Sequence, residues 1–326
     1  MISCFDAHCD TIYRCMETGE ISALEYGANR EEQRRYYAAS SHLRSNNGHI
    51  DLERGLQFKR YAQFFALFHD AAEAPADGMW AQCQRMHDFF LHEMADSADI
   101  ARHCRTGTEV DETAAAGKAA ALLSIEGADL IDCDLHKIET VSDWGVRFLN
   151  PVWNRANVLS GTNAEDPGRG LSAAGRDFIR VLEEYEIYPD VSHLSDAGFW
   201  DLVHMARRPI IASHSNARAV CPHRRNLTDD QFKAIRDLGG VVGLNLYLDF
   251  VGESTTDALV AHVERFLELG GEKTLCLGGD LDGCEALAGG MTGIQDMPKL
   301  YGALIARGYD EALLEDIFWN NLRRLI

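Results

Sequence analysis

The alternation of short apolar runs with helical patterns constrains the fold of this 326-residue chain more than any other feature. We interpret eight apolar runs as buried strands, beginning near residues 2, 62, 119, 146, 187, 209, 240 and 274. Helical patterns separate most of these runs. Near-continuous apolar strands that alternate with helices are typical of a parallel sheet with both faces covered. Eight such units predict a (β/α)8 TIM barrel of the α/β class.

A doubly wound open sheet is the alternative, but its usual Gly-x-Gly-x-x-Gly turn after an early strand is missing. The length fits one large or two ordinary domains, and single barrels often exceed about 250 residues. Because no linker or repeat is visible, we expect one domain over residues 1–326. The segments 15–60 and 70–118 are expected to be helical insertions, with a solvated helix near 31–35 and a long helix over 79–104.

Charge and cysteine content narrow the possible partners and the compartment. The formal net charge of −20 argues against nucleic acid or an anionic membrane as a partner. Nine cysteines at irregular spacing, without Cys-x-x-Cys, do not form a disulfide framework. Neither a signal peptide nor an apolar run of about 20 residues is visible. We therefore expect a cytoplasmic protein that does not bind membranes.

Metal-competent side chains follow the predicted strands. His8 and Asp10 lie two residues apart at the end of the first strand and so face the same side. In a (β/α)8 barrel the carboxyl ends of the strands meet at one mouth, where active sites lie. Each side chain alone is explained by a turn, a helix cap or a hydrogen-bonded loop, but the joint pattern predicts a metal site. Its six members are His8, Asp10, Glu126, His193, His214 and Asp280.

Three histidines and three carboxylates are too many ligands for one tetrahedral zinc ion and suit two divalent ions. Glu126 is the natural bridge, with His8 and Asp10 on one ion and His193 and His214 on the other. Two cations that share a water lower its pKa and make hydroxide available near neutral pH. Asp280 would then move the proton.

Histidines also occur in the predicted helix over 79–104. His92 and Glu93 suggest the His-Glu-x-x-His pattern of zinc proteases, but position 96 is Asp. We therefore interpret His87, His92 and His103 as surface residues without a role in the site.

Several longer motifs surround these residues. They are Asp6-Ala7-His8-Cys9-Asp10-Thr11, Glu126-Gly127, Gly170-Leu171-Ser172 with Gly175, Asp190-Val191-Ser192-His193-Leu194-Ser195, Ser213-His214-Ser215, Arg224-Arg225-Asn226-Leu227, Gly278-Gly279-Asp280-Leu281-Asp282-Gly283 and Asn320-Asn321-Leu322-Arg323-Arg324. On these motifs, nearly the whole chain resembles the membrane dipeptidase (renal dipeptidase) family of zinc peptidases, which have amidohydrolase-like barrels.

The resemblance implies a dipeptidase with two Zn²⁺ per chain, although another divalent metal is possible. It assigns the five ligands as above and Asp280 as the catalytic acid and base. Arg225 matches the arginine that binds the terminal carboxylate of the dipeptide, a role that suits the guanidinium fork. Its neighbour Arg224 and the nearby Asp282 are the competing assignments. Family members tolerate a D-residue at the C-terminal position, and some open β-lactams. A homodimer is possible.

The fourth strand departs from the family pattern. Better-known members end this strand with a His in Leu-Thr-His, which helps to polarise the scissile carbonyl or bind substrate. Here the stretch reads Leu149-Asn150-Pro151-Val152-Trp153-Asn154. We therefore expect Trp153 and Asn154, together with Tyr247, to contact substrate. The departure also keeps open an alternative function, the hydrolysis of another small amide, a lactam or a lactone.

Overall fold

The computed structural model describes residues 1–16 and 42–326, and its centre is a sheet of parallel strands. The nine strands of these described residues are β1 (Ser3–Cys9), β2 (Arg60–Phe68), β3 (Ala101–His103), β4 (Ala119–Glu126), β5 (Val146–Asn150), β6 (Tyr188–Pro189), β7 (Ile211–Ala212), β8 (Val241–Leu244) and β9 (Leu275–Leu277).

Eight of these strands form a nearly closed barrel in the order β6-β5-β4-β2-β1-β9-β8-β7, and β3 pairs with β4 outside this path. Every ladder between them is parallel. The two end strands, β6 and β7, meet through a parallel bridge between Asp190 and Ile211 and through the bond from Val191 N to Ile211 O, 2.8 Å long. This meeting of β6 and β7 is called the seam below. The predicted (β/α)8 barrel is confirmed.

A side chain reinforces the seam. The Asp190 carboxylate, at the end of β6, accepts hydrogen bonds from the backbone N–H and hydroxyl of Ser192 and from the backbone N–H of Ser213 beyond β7. Asp190 is 1% exposed, so these bonds form away from water. A buried, charge-assisted hydrogen bond is stronger than a neutral one. The bonds to Asp190 therefore compensate for the few backbone hydrogen bonds that two very short strands can form.

The barrel is filled by side chains that alternate along the strands. Residues two apart on a strand face the same side, and in β2 this places Ala62 and Phe64 in the interior. Phe64 stacks on Phe148 of β5 with ring centroids 4.1 Å apart, and Phe5 of β1 lies 5.4 Å from Trp319 near the C-terminus. The outward-facing residues, such as Phe65, join a second cluster beneath the helices. Layered side chains of this kind make the barrel a packed core.

Helices follow most of the strands and cover the barrel. Several begin at a capping side chain; Thr228, for example, forms a capping box with Gln231. The α-helices of residues 1–16 and 42–326 are α1 (Thr11–Met16), α2 (Leu52–Gly55), α3 (Met79–Asp96), α4 (Gly107–Ala115), α5 (Ile138–Asp143), α6 (Ala173–Glu184), α7 (Asp196–Met205), α8 (Asp229–Asp237), α9 (Leu248–Val251), α10 (Thr256–Glu268), α11 (Met297–Ala306), α12 (Glu311–Glu315) and α13 (Asn321–Arg323), with a π-helical turn at Asp316–Asn320.

Several sequence-based expectations are wrong, and one concerns residues outside the described ranges. The predicted helix over 79–104 ends at Asp96, and the chain then forms β3. The predicted surface position of His87 is wrong, because its ring stacks on Trp144 at 4.1 Å and is 8% exposed. His103 is half-buried, with its ring 5.0 Å from that of Phe90. The helix expected near 31–35 lies outside the described residues.

None of the nine cysteines forms a disulfide in the structure, which agrees with the irregular spacing in the sequence. Within residues 1–16 and 42–326, no helix combines the length and the apolar character needed to cross a bilayer.

Candidate metal centre at the barrel mouth

The six predicted site residues lie together at the carboxyl ends of the strands. His8 and Asp10 come from the end of β1 and Glu126 is the last residue of β4. His193, His214 and Asp280 follow β6, β7 and β9 within two to four residues. All six side chains are at most 8% exposed. Ionisable groups are seldom so deeply buried unless they are paired or bind a metal.

Glu126 lies at the centre of this cluster. Its Oε2 is 3.6 Å from His8 Nε2, and its Oε1 is 2.8 Å from His193 Nε2 and 3.4 Å from His214 Nε2. On the Oε2 side, His8 Nε2 also lies 3.3 Å from Asp10 Oδ2. The two carboxylate oxygens of Glu126 therefore face two different groups of donor atoms.

The donor atoms fit divalent cations. Ligand atoms of His8, Glu126 and His214 lie within 4.8 Å of one another, as do those of His8, Asp10 and Asp280. Asp10 Oδ1 is buried with no hydrogen-bond partner among the described residues. An orphaned carboxylate oxygen among converging imidazole nitrogens is the donor set that zinc and similar metals take.

Burial governs the protonation of the cluster. It raises the pKa of Glu126 to about 7, where His8 opposes the shift and Asp10 adds to it. Burial also raises the pKa of Asp280. For His193 and His214, burial and then nearby positive charge lower the pKa well below the usual value, so both imidazoles are neutral and able to bind a metal. Burial lowers the pKa of His8, but the carboxylates of Glu126 and Asp10 outweigh it and the net shift is upward.

Asp280 and Asp282, the two candidate catalytic carboxylates, have different surroundings. Asp282 is 0% exposed, and its carboxylate accepts bonds from Thr11 Oγ1 at 2.7 Å and His49 N at 2.6 Å. These bonds tie the loop after β9 to two other segments of the chain. Asp280 faces the candidate metal ligands, and its Oδ2 accepts one bond, 3.0 Å long, from Asn245 Nδ2. The geometry therefore favours Asp280 for chemistry and Asp282 for structure.

Arg225 and Arg224 are likewise separated by the structure. Arg225 is 5% exposed and lines the cavity; its Nη2 lies 3.1 Å from His193 Nε2, and its guanidinium carbon lies 5.2 Å from the Phe250 ring centroid. Its Nη1 is buried without a partner among the described residues. Burial lowers the pKa of Arg225 to about 10. Arg224 is exposed. An unpaired guanidinium nitrogen facing a cavity suits an anionic group of a ligand.

The three predicted substrate contacts also line the same cavity, which measures about 290 Å³. Trp153 packs on Phe68 with ring centroids 4.7 Å apart. Asn154 Oδ1 lies 3.1 Å from His193 Nδ1. The Tyr247 hydroxyl donates to Asp249 Oδ2 at 3.1 Å. The cavity lies at the small end of the size range of ligand sites.

Asn245 is a site residue that sequence reasoning missed. It follows β8, is 0% exposed, and is held by Asn216 through two bonds, from Asn245 N to Asn216 Oδ1 and from Asn216 Nδ2 to Asn245 O. Its own amide then fixes Asp280. A polar residue directly after the apolar run at 240–244 was the available signal, because the same strand-end argument had identified the other six.

Comparisons with known proteins agree with this geometry. The profile of the membrane dipeptidase family (peptidase family M19) matches residues 1–326. An uncharacterised Klebsiella pneumoniae protein from the pqqA 5′ region is 35% identical over 265 residues, which cover 77% of this chain and 96% of that protein.

A dipeptidase of Claviceps purpurea, tcpJ, is 25% identical over 292 residues, covering 86% of this chain and 69% of the relative. The crystal structure of a Rhodobacter sphaeroides metallopeptidase, liganded with a phosphinate mimic of the dipeptide L-Ala-D-Ala, superposes with a TM-score of 0.83 at 29% identity and covers 99% of this chain and 98% of that one. This chain therefore belongs to the membrane dipeptidase family and is a metal-dependent hydrolase of peptide bonds.

Proposed function

We propose that the chain is a dipeptidase with two zinc ions, bridged by Glu126. The observation that supports this most directly is the placement of the two Glu126 oxygens, one toward His8 and one toward His193 and His214. His8 and Asp10 would hold one ion, and His193 and His214 the other. When bound, a pair of divalent ions lowers the pKa of water and polarises a carbonyl oxygen.

Asp280 is the proton-transfer group in this proposal. Asn245 fixes its Oδ2, which leaves Oδ1 beside Gly283 at the cavity. As water adds to the carbonyl carbon, Asp280 takes a proton from it, and it gives this proton to the amine when the C–N bond breaks. Burial raises the pKa of Asp280 and so brings the carboxyl closer to the pH at which it must both accept and release a proton.

Arg225 would bind the terminal carboxylate of the substrate. Its buried, unpaired Nη1 supports a charge-assisted bond to that group. Trp153 and Tyr247 line the same cavity, whose volume of about 290 Å³ suits a dipeptide better than a longer peptide. The L-Ala-D-Ala mimic bound by the Rhodobacter relative supports acceptance of a D-residue at the C-terminal position. Because the family profile spans residues 1–326, we treat the chain as one catalytic domain.

Metal analysis combined with a substrate panel tests this function. We expect about two zinc ions per chain and turnover of L,L and L,D dipeptides, with no cleavage of the matching tripeptides. The panel should include small lactams and lactones, because the fourth strand lacks the expected His. Turnover of these cyclic substrates without any dipeptide turnover would replace the proposal, and a single ion per chain in a fully active protein would refute the bridged pair.

A further inference from the structure

Asn154 both lines the cavity and contacts a candidate metal ligand, His193. It lies in the loop after β5, is exposed, and lines the cavity beside the metal ligands. Its backbone is fixed, since the Asn154 carbonyl accepts a bond from Thr162 Oγ1 at 3.1 Å. Its side chain reaches His193 with Oδ1 3.1 Å from Nδ1. The Asn154 amide is therefore positioned through its oxygen atom, which contacts His193.

The proton of the His193 ring can be assigned from its neighbours. Arg225 Nη2 lies 3.1 Å from His193 Nε2, and a guanidinium nitrogen can only donate. The same Nε2 is 2.8 Å from Glu126 Oε1 and 3.1 Å from His214 Nε2, so it is the ring nitrogen that faces the other donor atoms. In the proposed metal centre Nε2 would give its lone pair to the ion, and the proton of the neutral ring then lies on Nδ1.

This tautomer fixes the orientation of the Asn154 amide. Because Nδ1 of His193 donates, the atom it meets must be the amide oxygen, which is the arrangement seen. The Asn154 NH2 group then points away from His193. Among residues 1–16 and 42–326, no acceptor for a hydrogen bond from Asn154 Nδ2 is observed, while the residue faces the cavity. Two amide hydrogens are thus available to a ligand.

We infer that Asn154 performs two tasks: its oxygen holds His193 in the metal-binding tautomer, and its NH2 group donates to the carbonyl oxygen of the scissile amide. The inference rests on the proposed dipeptidase function and names a donor for the position where the fourth strand lacks a His. Trp153 is the other candidate there, but its ring is packed on Phe68.

The donor acts where charge develops. When water adds to the carbonyl carbon, the C=O π pair moves onto oxygen, and the lost proton goes to Asp280. A positioned N–H donor stabilises that oxygen, and removal of one such donor costs about 10²–10³ in kcat. Loss of a residue that orients a metal-bound histidine costs about 10–100-fold in metal affinity. The two tasks therefore have separable measurements.

Two substitutions separate them. Asn154→Asp keeps an oxygen for His193 Nδ1 but removes the amide donor; we expect metal affinity, measured by competition with a chromophoric chelator, to stay within about threefold of wild type. In the same variant, kcat at saturating zinc should fall about 10²–10³-fold. Asn154→Leu removes both groups and should also lose about 10–100-fold in affinity for one of the two ions.

Leucine carries no charge, so an equal fall of kcat in both variants assigns the loss to the missing donor and not to repulsion by Asp. Val158→Thr, an exposed change in the same loop, is the matched control and should leave both readouts unchanged. Full kcat in Asn154→Leu at saturating zinc would overturn the donor role. Unchanged zinc affinity in Asn154→Leu would overturn the positioning role.

Failure of the proposed function is recognised separately. If zinc-loaded wild type cleaved no dipeptide, the chelator competition would still decide the positioning role. Binding of a phosphinate dipeptide analogue would decide the donor role, since its anionic oxygens mimic the developing charge. We expect both variants to bind it at least tenfold more weakly than wild type at saturating zinc, and equal affinity would contradict the donor role.

Discussion

At the scale of single residues, neighbouring side chains in this chain have opposite duties. Asp280 and Asp282 lie two positions apart, both with left-handed backbone (φ of 56° and 65°), which Asp adopts more readily than most residues. The Asp280 carboxylate faces the candidate metal ligands, and the Asp282 carboxylate holds three segments of the chain together. In the proposed function, one sequence motif would supply both a reacting group and a structural support for it.

Substitution of these two carboxylates should separate activity from stability. Asp280→Asn should lower kcat about 10²–10⁴-fold, because an amide cannot move the proton, with little change in the melting temperature. Asp282→Asn should lower the free energy of unfolding by about 1–3 kcal/mol, because it weakens buried charge-assisted bonds. Steady-state kinetics and urea unfolding check both. A wild-type kcat in Asp280→Asn would show that another group transfers the proton.

The two neighbouring arginines offer a second matched pair. Arg225→Met should raise KM for dipeptides about 10–100-fold, the value of a lost bond between charged groups. Arg224→Met should leave KM unchanged, because Arg224 is exposed. With dipeptide amides, which lack the terminal carboxylate, wild type and Arg225→Met should have similar KM values. A large KM difference on the amides would show that Arg225 does not act through the carboxylate.

The sequence predicted which side chains lie together at the barrel mouth, but it did not predict the contacts that support them. The strand-end argument identified His8, Glu126 and His214 without coordinates, because barrel geometry brings strand ends together. Asn245 was missed although it directly follows an apolar run, because the strand-end argument was applied to metal-competent side chains and an amide is not one of them. Asn154 was predicted to contact substrate, but its bond to His193 depends on the approach of two loops that are 39 residues apart in sequence.

At the scale of elements, the local pattern predicted the barrel strands but missed the strand outside the barrel path. All eight barrel strands were expected near their observed positions, including the two-residue strands β6 and β7. β3 was absorbed into a predicted helix, because three residues, Ala101–His103, carry too little periodicity to stand out. A π-helical turn at Asp316–Asn320 separates α12 from α13 at the end of the chain. Such a turn is set by packing, here around Trp319 and Phe318.

The loop after β9 depends on a residue without a side chain. A Cβ built on Gly283 would overlap Asp10 Oδ2 and Asp280 Oδ1. Its φ is not in the left-handed region, so Gly283→Ala should strain the site and not the backbone. We expect zinc content to fall below two per chain, with a melting temperature close to wild type.

Gly168→Ala is the matched control for this change. Gly168 is exposed and a Cβ there would meet no atom within 4 Å. Metal analysis after dialysis and thermal unfolding measure the two variants together. Normal zinc content and activity in Gly283→Ala would contradict the prediction, because Asp10 and Asp280 would then tolerate a methyl group between them.

At the scale of the whole molecule, buried ionisable groups make stability depend on pH. Burial, reinforced by the nearby charge of Arg105, lowers the pKa of His103 to about 4. The unfolded imidazole has a pKa of about 6.5, so between these values the unfolded chain binds a proton that the folded chain excludes. The stabilising contribution of neutral His103 is complete above pH 6.5 and is lost as the pH falls toward 4.

A pair of histidine variants isolates this effect. Because His103 stays neutral in the folded protein, the free energy of unfolding of wild type should be about 2 kcal/mol lower at pH 5.0 than at pH 7.5. His103→Gln should be less sensitive to the same change by about that amount, whereas His92→Gln, at an exposed position, should follow wild type. Urea unfolding at both pH values measures the pH-dependent change in stability of each protein. Contributions from the candidate metal ligands cancel when wild type and the variants are compared, because all three proteins share them. Parallel pH dependence in all three proteins would refute the prediction.

The seam between β6 and β7 links the metal centre to the integrity of the barrel. His193 follows one of these strands and His214 the other, so an ion held by both spans the place where backbone pairing is thinnest. Thermodynamic linkage is reciprocal. A change that stabilises the closed seam raises the affinity for the ion, and binding of the ion stabilises the closed seam by the same free energy. Amide hydrogens along β6 and β7 should then exchange more slowly with solvent in the zinc-loaded protein. In the proposed centre, zinc affinity would therefore also report on barrel closure, and substitutions of Asp190, which is not among the proposed ligands, should alter it.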